Sequence, residues 1–237
     1  MEKAIWMLMV LTGFITASAQ NDNKLTAAEK KAGWQLLFDG KSQKGWRKFN
    51  GTAFPSNWTI ENGTLKCLGK AEGDTGGDIA YGADQFENFE LSIDWKISPQ
   101  GNSGIFYHAA EGPNYKAAYY TAPEYQLIDD VNYPEKLVDW QKTASDYAMY
   151  PAPSDKALKP AGEWNNTRIV FTPQKVEYWL NGKMTVSFVP WSEDWTKRRN
   201  SGKWDAFPDY GKTKTGLISL QDHGSPVWFK NIKIRKL

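Results

Sequence analysis

Phe89-Glu-Leu-Ser-Ile-Asp-Trp-Lys-Ile97 alternates apolar and polar residues without a break. Phe89, Leu91, Ile93, Trp95 and Ile97 fall on one side, and Glu90, Ser92, Asp94 and Lys96 on the other. Successive side chains of a β-strand point to opposite faces, so this run predicts a half-buried strand. Outward from it, short segments of the same kind recur between turn signals. Residues 34–38 precede an Asp39-Gly40 turn, and residues 58–60 and 64–68 flank Glu61-Asn62-Gly63. Residues 104–109 and 124–128 are further strands. Residues 168–172 pair with 176–180, and Asn181-Gly182 then turns the chain back into 184–188. Residues 216–221 and 227–234 close the series. No segment carries a long 3.6-residue apolar period, so the pattern predicts an all-β sandwich or barrel. Long polar excursions at 111–123, 130–163 and 190–215 are of the length that usually carries function.

Composition narrows the class. A single cysteine, Cys67, excludes an intramolecular disulfide. The net charge is +2, with both signs interspersed. That lacks the basic stripe of a nucleic-acid binder. Twelve Trp, eleven Tyr and eleven Phe fill a core or offer flat surfaces to the C–H faces of sugar rings.

Residues 1–19 read as a secretory signal peptide: Lys3, an apolar run over 5–15, then Ala17-Ser-Ala19 as a cleavage pattern. The run falls short of the ~20 residues that span a bilayer; a buried N-terminal helix is the alternative. The mature chain is therefore expected in the periplasm or outside the cell, with no membrane contact after cleavage. Residues 20–32 read as a flexible arm with a helical turn near 26–31, and residues 33–237 as a single domain.

Several strings together carry a family resemblance. They are Gly33-Trp-Gln-Leu-Leu-Phe-Asp-Gly-Lys41 with Gly45-Trp46, Trp58-Thr-Ile-Glu-Asn-Gly-Thr-Leu65, and Phe89 to Trp95. Gly101-Asn-Ser-Gly-Ile-Phe-Tyr-His108, Glu124-Tyr-Gln-Leu-Ile-Asp-Asp130, Tyr178-Trp-Leu-Asn-Gly182 and Leu220-Gln-Asp-His-Gly224 follow in order. The chain resembles the 3-keto-disaccharide hydrolase family, also described as 3-keto-glycoside hydrolases or lyases. The resemblance implies a concanavalin A-like jelly roll of two antiparallel sheets with long loops, one sheet facing a carbohydrate. It also implies a sugar-cleaving reaction. A ketone at C3 acidifies the C2 hydrogen, a base removes it, and the enolate expels the group at C1 before water adds. Such a site needs a base, a proton donor, and a cation or fixed donors for the enolate.

The candidates for these roles each have a structural alternative. His108 and His223 are the only histidines and the side chains best suited to move protons near neutrality; a strand-end hydrogen bond and a turn-stabilising role are the alternatives. Glu124 and Gln126 share one face of a strand, where unpaired polar groups do not suit a dry core. Glu124 is the favoured site carboxylate, and an outward edge face is the alternative. Arg168 is a candidate oxyanion stabiliser or a salt-bridge partner. Asp94, Asn102, Tyr147 and Gln221 are candidate substrate contacts, or a solvated face, a tight turn, a loop anchor and a strand polar group. Asp94, His108 and Glu124 together could hold a divalent metal ion. Glu124-x-Gln126-x-Ile128 lacks the Glu-x-Asp-x-Glu spacing of jelly-roll glucanases. A non-catalytic carbohydrate-binding module on the same fold is the competing reading.

Overall fold

The computed structural model describes residues 22–69 and 76–237; the segment read as a signal peptide lies outside them. Among the described residues, thirteen strands form two antiparallel sheets. In chain order they are β1 (Gln35–Leu36), β2 (Trp46–Lys48), β3 (Trp58–Glu61), β4 (Thr64–Cys67), β5 (Ile79–Tyr81), β6 (Phe89–Ile97) and β7 (Asn102–Ala109). Then come β8 (Glu124–Ile128), β9 (Asn165–Thr172), β10 (Lys175–Leu180), β11 (Lys183–Phe188), β12 (Leu217–Leu220) and β13 (Val227–Lys236). The larger sheet runs β11-β10-β9-β6-β13-β4-β3, with β1 also paired to β13. The smaller runs β2-β5-β12-β7-β8. This is the expected jelly-roll sandwich.

The alternating strand β6 lies between β9 and β13. Its five apolar residues are buried and meet Ile105, Tyr107, Tyr125 and Leu220 of the smaller sheet. Each such burial contributes about 1.5–3 kcal/mol. Trp95 keeps its indole satisfied by donating to Thr167 Oγ1 at 2.8 Å. At the hairpin between β10 and β11, Asn181 and Gly182 both have positive φ (48° and 81°), the geometry that a two-residue turn requires.

The described part of the segment expected as a flexible arm is docked. Asn23 exchanges two hydrogen bonds with Asn231 (2.6 and 2.9 Å), and Lys230 pairs with Asp22 at 2.8 Å. Helix α1 (Ala27–Lys31) starts on a Thr26–Glu29 capping box, and Glu29 also pairs with Lys233. A second helix, α2 (Glu193–Arg199), lies in the last long excursion.

The face of the smaller sheet turned away from the larger one is half dry and half polar. Ala80, Phe106 and Leu217 are covered by Phe49, Ala118 and Ala122, with Tyr115 and Tyr119 against them. The rest of that face carries Asp78, Asn102, Glu124, Gln126 and Gln221, all buried.

Candidate active site

Strand β8 places Glu124 and Gln126 on one face, opposite Phe106 and Gly104 of β7. Gly104 leaves the hollow that Glu124 fills: a Cβ there would lie 2.3 Å from Glu124 Oε1. Glu124 is 3% exposed. Burial pushes its carboxyl up to about 8; the Lys203 ammonium works against this, and the Asp78 carboxylate adds to it. Lys203 sits on a short 3₁₀ turn, Gly202–Ala206. The residue is exposed overall, but its ammonium is crowded by the rings of Tyr147, Trp204 and Tyr119 at 4.1, 4.9 and 5.5 Å. Desolvation lowers its pKa, and Glu124 opposes that shift.

Around this pair stand three carboxamides. Gln126 donates from Nε2 to the Gln141 carbonyl at 3.1 Å, while Gln126 Oε1, Asn102 Oδ1 and Gln221 Oε1 are buried with no partner among the described residues. Gln221 joins the row through its backbone N–H, which donates to the Gly104 carbonyl at 3.0 Å. Buried acceptors left open are uncommon in a finished fold and mark a place where hydroxyl donors are expected. Asn102 also lines an open cleft of about 600 Å³ with Asp222, His223 and Tyr133. The structure therefore brings together Glu124, Gln126, Asn102, Gln221, Tyr147 and, at the cleft, His223.

It does not bring in the other three. Gly104 and Phe106 face outward from β7, and strand alternation would put His108 with them, but a bulge intervenes, where the β7–β12 register shifts and the His108 φ is +56°. The side chain turns into the space between the sheets, against Phe89, Tyr107 and Phe171, with 1% exposure. Its Nε2 donates to the Glu87 carbonyl at 2.8 Å, and burial takes its pKa down to about 4. It is a neutral core histidine, not a proton carrier on Glu124's face. Arg168 lies on the outer face of the larger sheet, 2.5 Å from Glu90 and stacked over Trp179 at 5.0 Å. Asp94 is on that same face, where it accepts from Asn166 and Asn231 at 2.7 Å each. Asp94, His108 and Glu124 thus occupy three separate surfaces and do not fit a common metal ion. Among the described residues no group of three or more His, Cys, Asp or Glu converges as a metal site.

The family described as the 3-keto-alpha-glucoside-1,2-lyase-like domain matches residues 33–235. The chain belongs to this family. It is 36% identical over 230 residues to the 3-keto-disaccharide hydrolase of Bacteroides thetaiotaomicron, covering 86% of this chain and 79% of that protein. A candidate glycosyl hydrolase from Parabacteroides distasonis superimposes with a TM-score of 0.84 at 49% identity, over 92% of this chain and 100% of that one. A second candidate glycosyl hydrolase from the same species gives 0.66 at 27% identity, over 86% and 99%. This member of the 3-keto-alpha-glucoside-1,2-lyase-like family is a glycoside hydrolase-like enzyme.

Asp78 and Lys203 act electrostatically on Glu124, and the Tyr119 ring stands against Lys203; none of the three is among the residues that sequence reasoning picked out. Lys203 lies in a long excursion of the kind that carries function, but nothing local separates it from other surface lysines. Trp204 beside it is a buried anchor stacked on Tyr210 at 3.7 Å, not a sugar platform.

Proposed function

We propose that the enzyme cleaves a 3-keto-glycoside by elimination and hydration. The C2 proton passes to a base, the C2 electron pair becomes the enolate, and collapse of the enolate breaks the bond from C1 to the leaving oxygen, which takes the proton back from that base and departs as an alcohol. Water then adds its hydroxyl to C1, and C2 takes a proton. Glu124 is the base: a carboxylate stripped of water binds a proton far more strongly than one in solvent. The Lys203 ammonium is the positive group for the enolate oxygen. The open carboxamide oxygens of Asn102, Gln126 and Gln221 accept sugar hydroxyls, and the cleft beside His223 takes the leaving part of the substrate. One observation carries the reading: a buried carboxyl of raised pKa stands beside a lysine of lowered pKa, on a sheet face that also holds three unpaired carboxamide oxygens. The name of the Bacteroides relative supports the substrate class. The export pattern of residues 1–19 supports a reaction in the periplasm or outside the cell.

The test is release of the leaving group by purified protein from a 3-keto-glucoside and from its unoxidised parent. Cleavage of the oxidised substrate alone is expected. Cleavage of the parent would replace this reading with ordinary two-carboxylate hydrolysis, and binding without cleavage of either would favour a binding module. Because Lys203 supplies the positive charge in this scheme, chelator treatment is expected to leave turnover unchanged; its loss would assign that role to a metal ion.

A further inference from the structure

Asp78 precedes β5 and is 7% exposed. Its two oxygens are each taken by a backbone N–H from a different wall of the site. Oδ2 accepts from Ala118 at 3.2 Å, at the start of the 3₁₀ turn that carries Tyr119. Oδ1 accepts from Asp222 at 3.1 Å, beside His223 and the cleft. We infer that Asp78 is a positioning residue: it ties the Tyr119 wall and the His223 wall to the sheet that carries Glu124. This rests on the elimination reading for its catalytic consequence, though not for the tether itself.

The local chemistry favours this role over direct catalysis. A carboxylate that accepts an N–H on each oxygen is held in one orientation, and such charge-assisted bonds are among the stronger ones in proteins. Neither wall has a regular strand over the segment that Asp78 holds. Ala118 follows a polar loop, and Asp222 begins the turn into Gly224, whose N–H returns to Asp222 Oδ1 at 2.9 Å. The charged and titratable groups around Asp78 are Glu124 on β8, Tyr119 on the 3₁₀ turn, Asp222 in the turn after β12, and Lys48 on β2, which passes near Gly77. Burial first, and then Asp222, raises the Asp78 pKa to about 6. The tether is therefore complete above neutrality and weakens as pH falls through that value.

Asp78→Asn is the test. An amide can accept on its oxygen alone, so one of the two N–H groups must lose its partner. Hydrogen exchange of the segments containing Ala118 or Asp222 should accelerate about tenfold, the equivalent of one lost charge-assisted bond, while that of β6 stays unchanged. KM should rise more than kcat falls, since the walls hold substrate. The acid limb of kcat/KM should move to lower pH, because Glu124 loses a negative neighbour. Unchanged exchange at both segments would overturn the tether. An unmoved acid limb would overturn the addition that the Asp78 charge makes to the effect of burial on Glu124. If the variant does not fold, the wild type decides: exchange at Ala118 and Asp222, corrected for intrinsic rates, should show a transition near pH 6 that β6 lacks, and its absence refutes the tether. Exchange needs no substrate, so failure of the enzyme to act on 3-keto-glycosides would remove the proposed function without touching this result.

Discussion

Replacing Gly104 by alanine adds one methyl group to the floor of the site and tests the position of Glu124 without touching its chemistry. The new Cβ would lie 2.3 Å from Glu124 Oε1 and 2.9 Å from both Cδ and Cγ. Ordinary contact begins near ~3.5 Å, so the carboxyl must retreat by about 1 Å. Gly104 does not have a positive φ, so alanine fits the backbone and loses less entropy on folding than glycine does. The expected stability cost is that of overpacking a buried site, ~2 kcal/mol, or about 4–8 °C in Tm for a chain of this size. The expected kinetic cost is larger. A reacting group displaced by ~1 Å can lose about 100-fold in rate. Steady-state kinetics on a 3-keto-glucoside, with a melting curve on the same sample, reads both. A folded Gly104→Ala enzyme with wild-type kcat would show that Glu124 does not need its present position, and the argument for it as the base would fail.

Other outcomes follow from the same geometry. Glu124→Gln should lower kcat by ~10²–10⁴-fold, the usual contribution of a general base, and should melt no lower than wild type at pH 8, because it removes a buried acid; activity within tenfold of wild type would exclude Glu124 as the base. Wild-type kcat/KM should rise with pH as Glu124 ionises, with its midpoint near the Glu124 pKa of about 8. Lys203→Met removes the group that lowers that pKa, so the limb should move to higher pH; a shift to lower pH would contradict the pairing. Asp146 is fully buried near Tyr107, Tyr178 and Tyr210, and its pKa is raised well above the usual carboxylate range by burial and then by Glu124. The folded state keeps a proton there that the unfolded chain gives up above about pH 4, so this site destabilises the fold progressively as pH rises. Asp146→Asn should therefore raise Tm at pH 8 and change it little at pH 4; a lower Tm at pH 8 would refute a neutral Asp146.

Legibility in the sequence varies with how local the cause is. Strand β6 is readable because its alternation persists over nine residues and both flanking strands respect it. Strands β2 and β5 are not, because three residues each leave no period to detect. Glu124 and Gln126 are readable as a pair because alternate positions of a strand share a face, and two polar side chains on one face need partners that an apolar layer does not supply. The same alternation puts His108 on the wrong side, because period two fails at a bulge and nothing in Phe106-Tyr-His-Ala109 announces one. Gly216, whose Cβ would lie 2.5 Å from the His108 carbonyl carbon, accommodates that bulge from just before β12, more than a hundred residues away. Arg168 and Glu90 share an outer sheet face, and choosing between a catalytic and a paired arginine requires knowing which strand lies beside β9. Lys203 and Asp78 reach the site only through tertiary contacts of a loop and a short strand.

The most direct measurement of the central claim is the fate of the C2 hydrogen. A 3-keto-glucoside carrying deuterium at C2 is cleaved in ordinary water, and the released sugar is analysed early, against a control without enzyme. The account predicts that the deuterium is lost to solvent during cleavage and that the deuterated substrate reacts more slowly than the undeuterated one. Deuterium retained at C2 in the released sugar, at an unchanged rate, would mean that the bond to C1 breaks without an enolate and that Glu124 does something else.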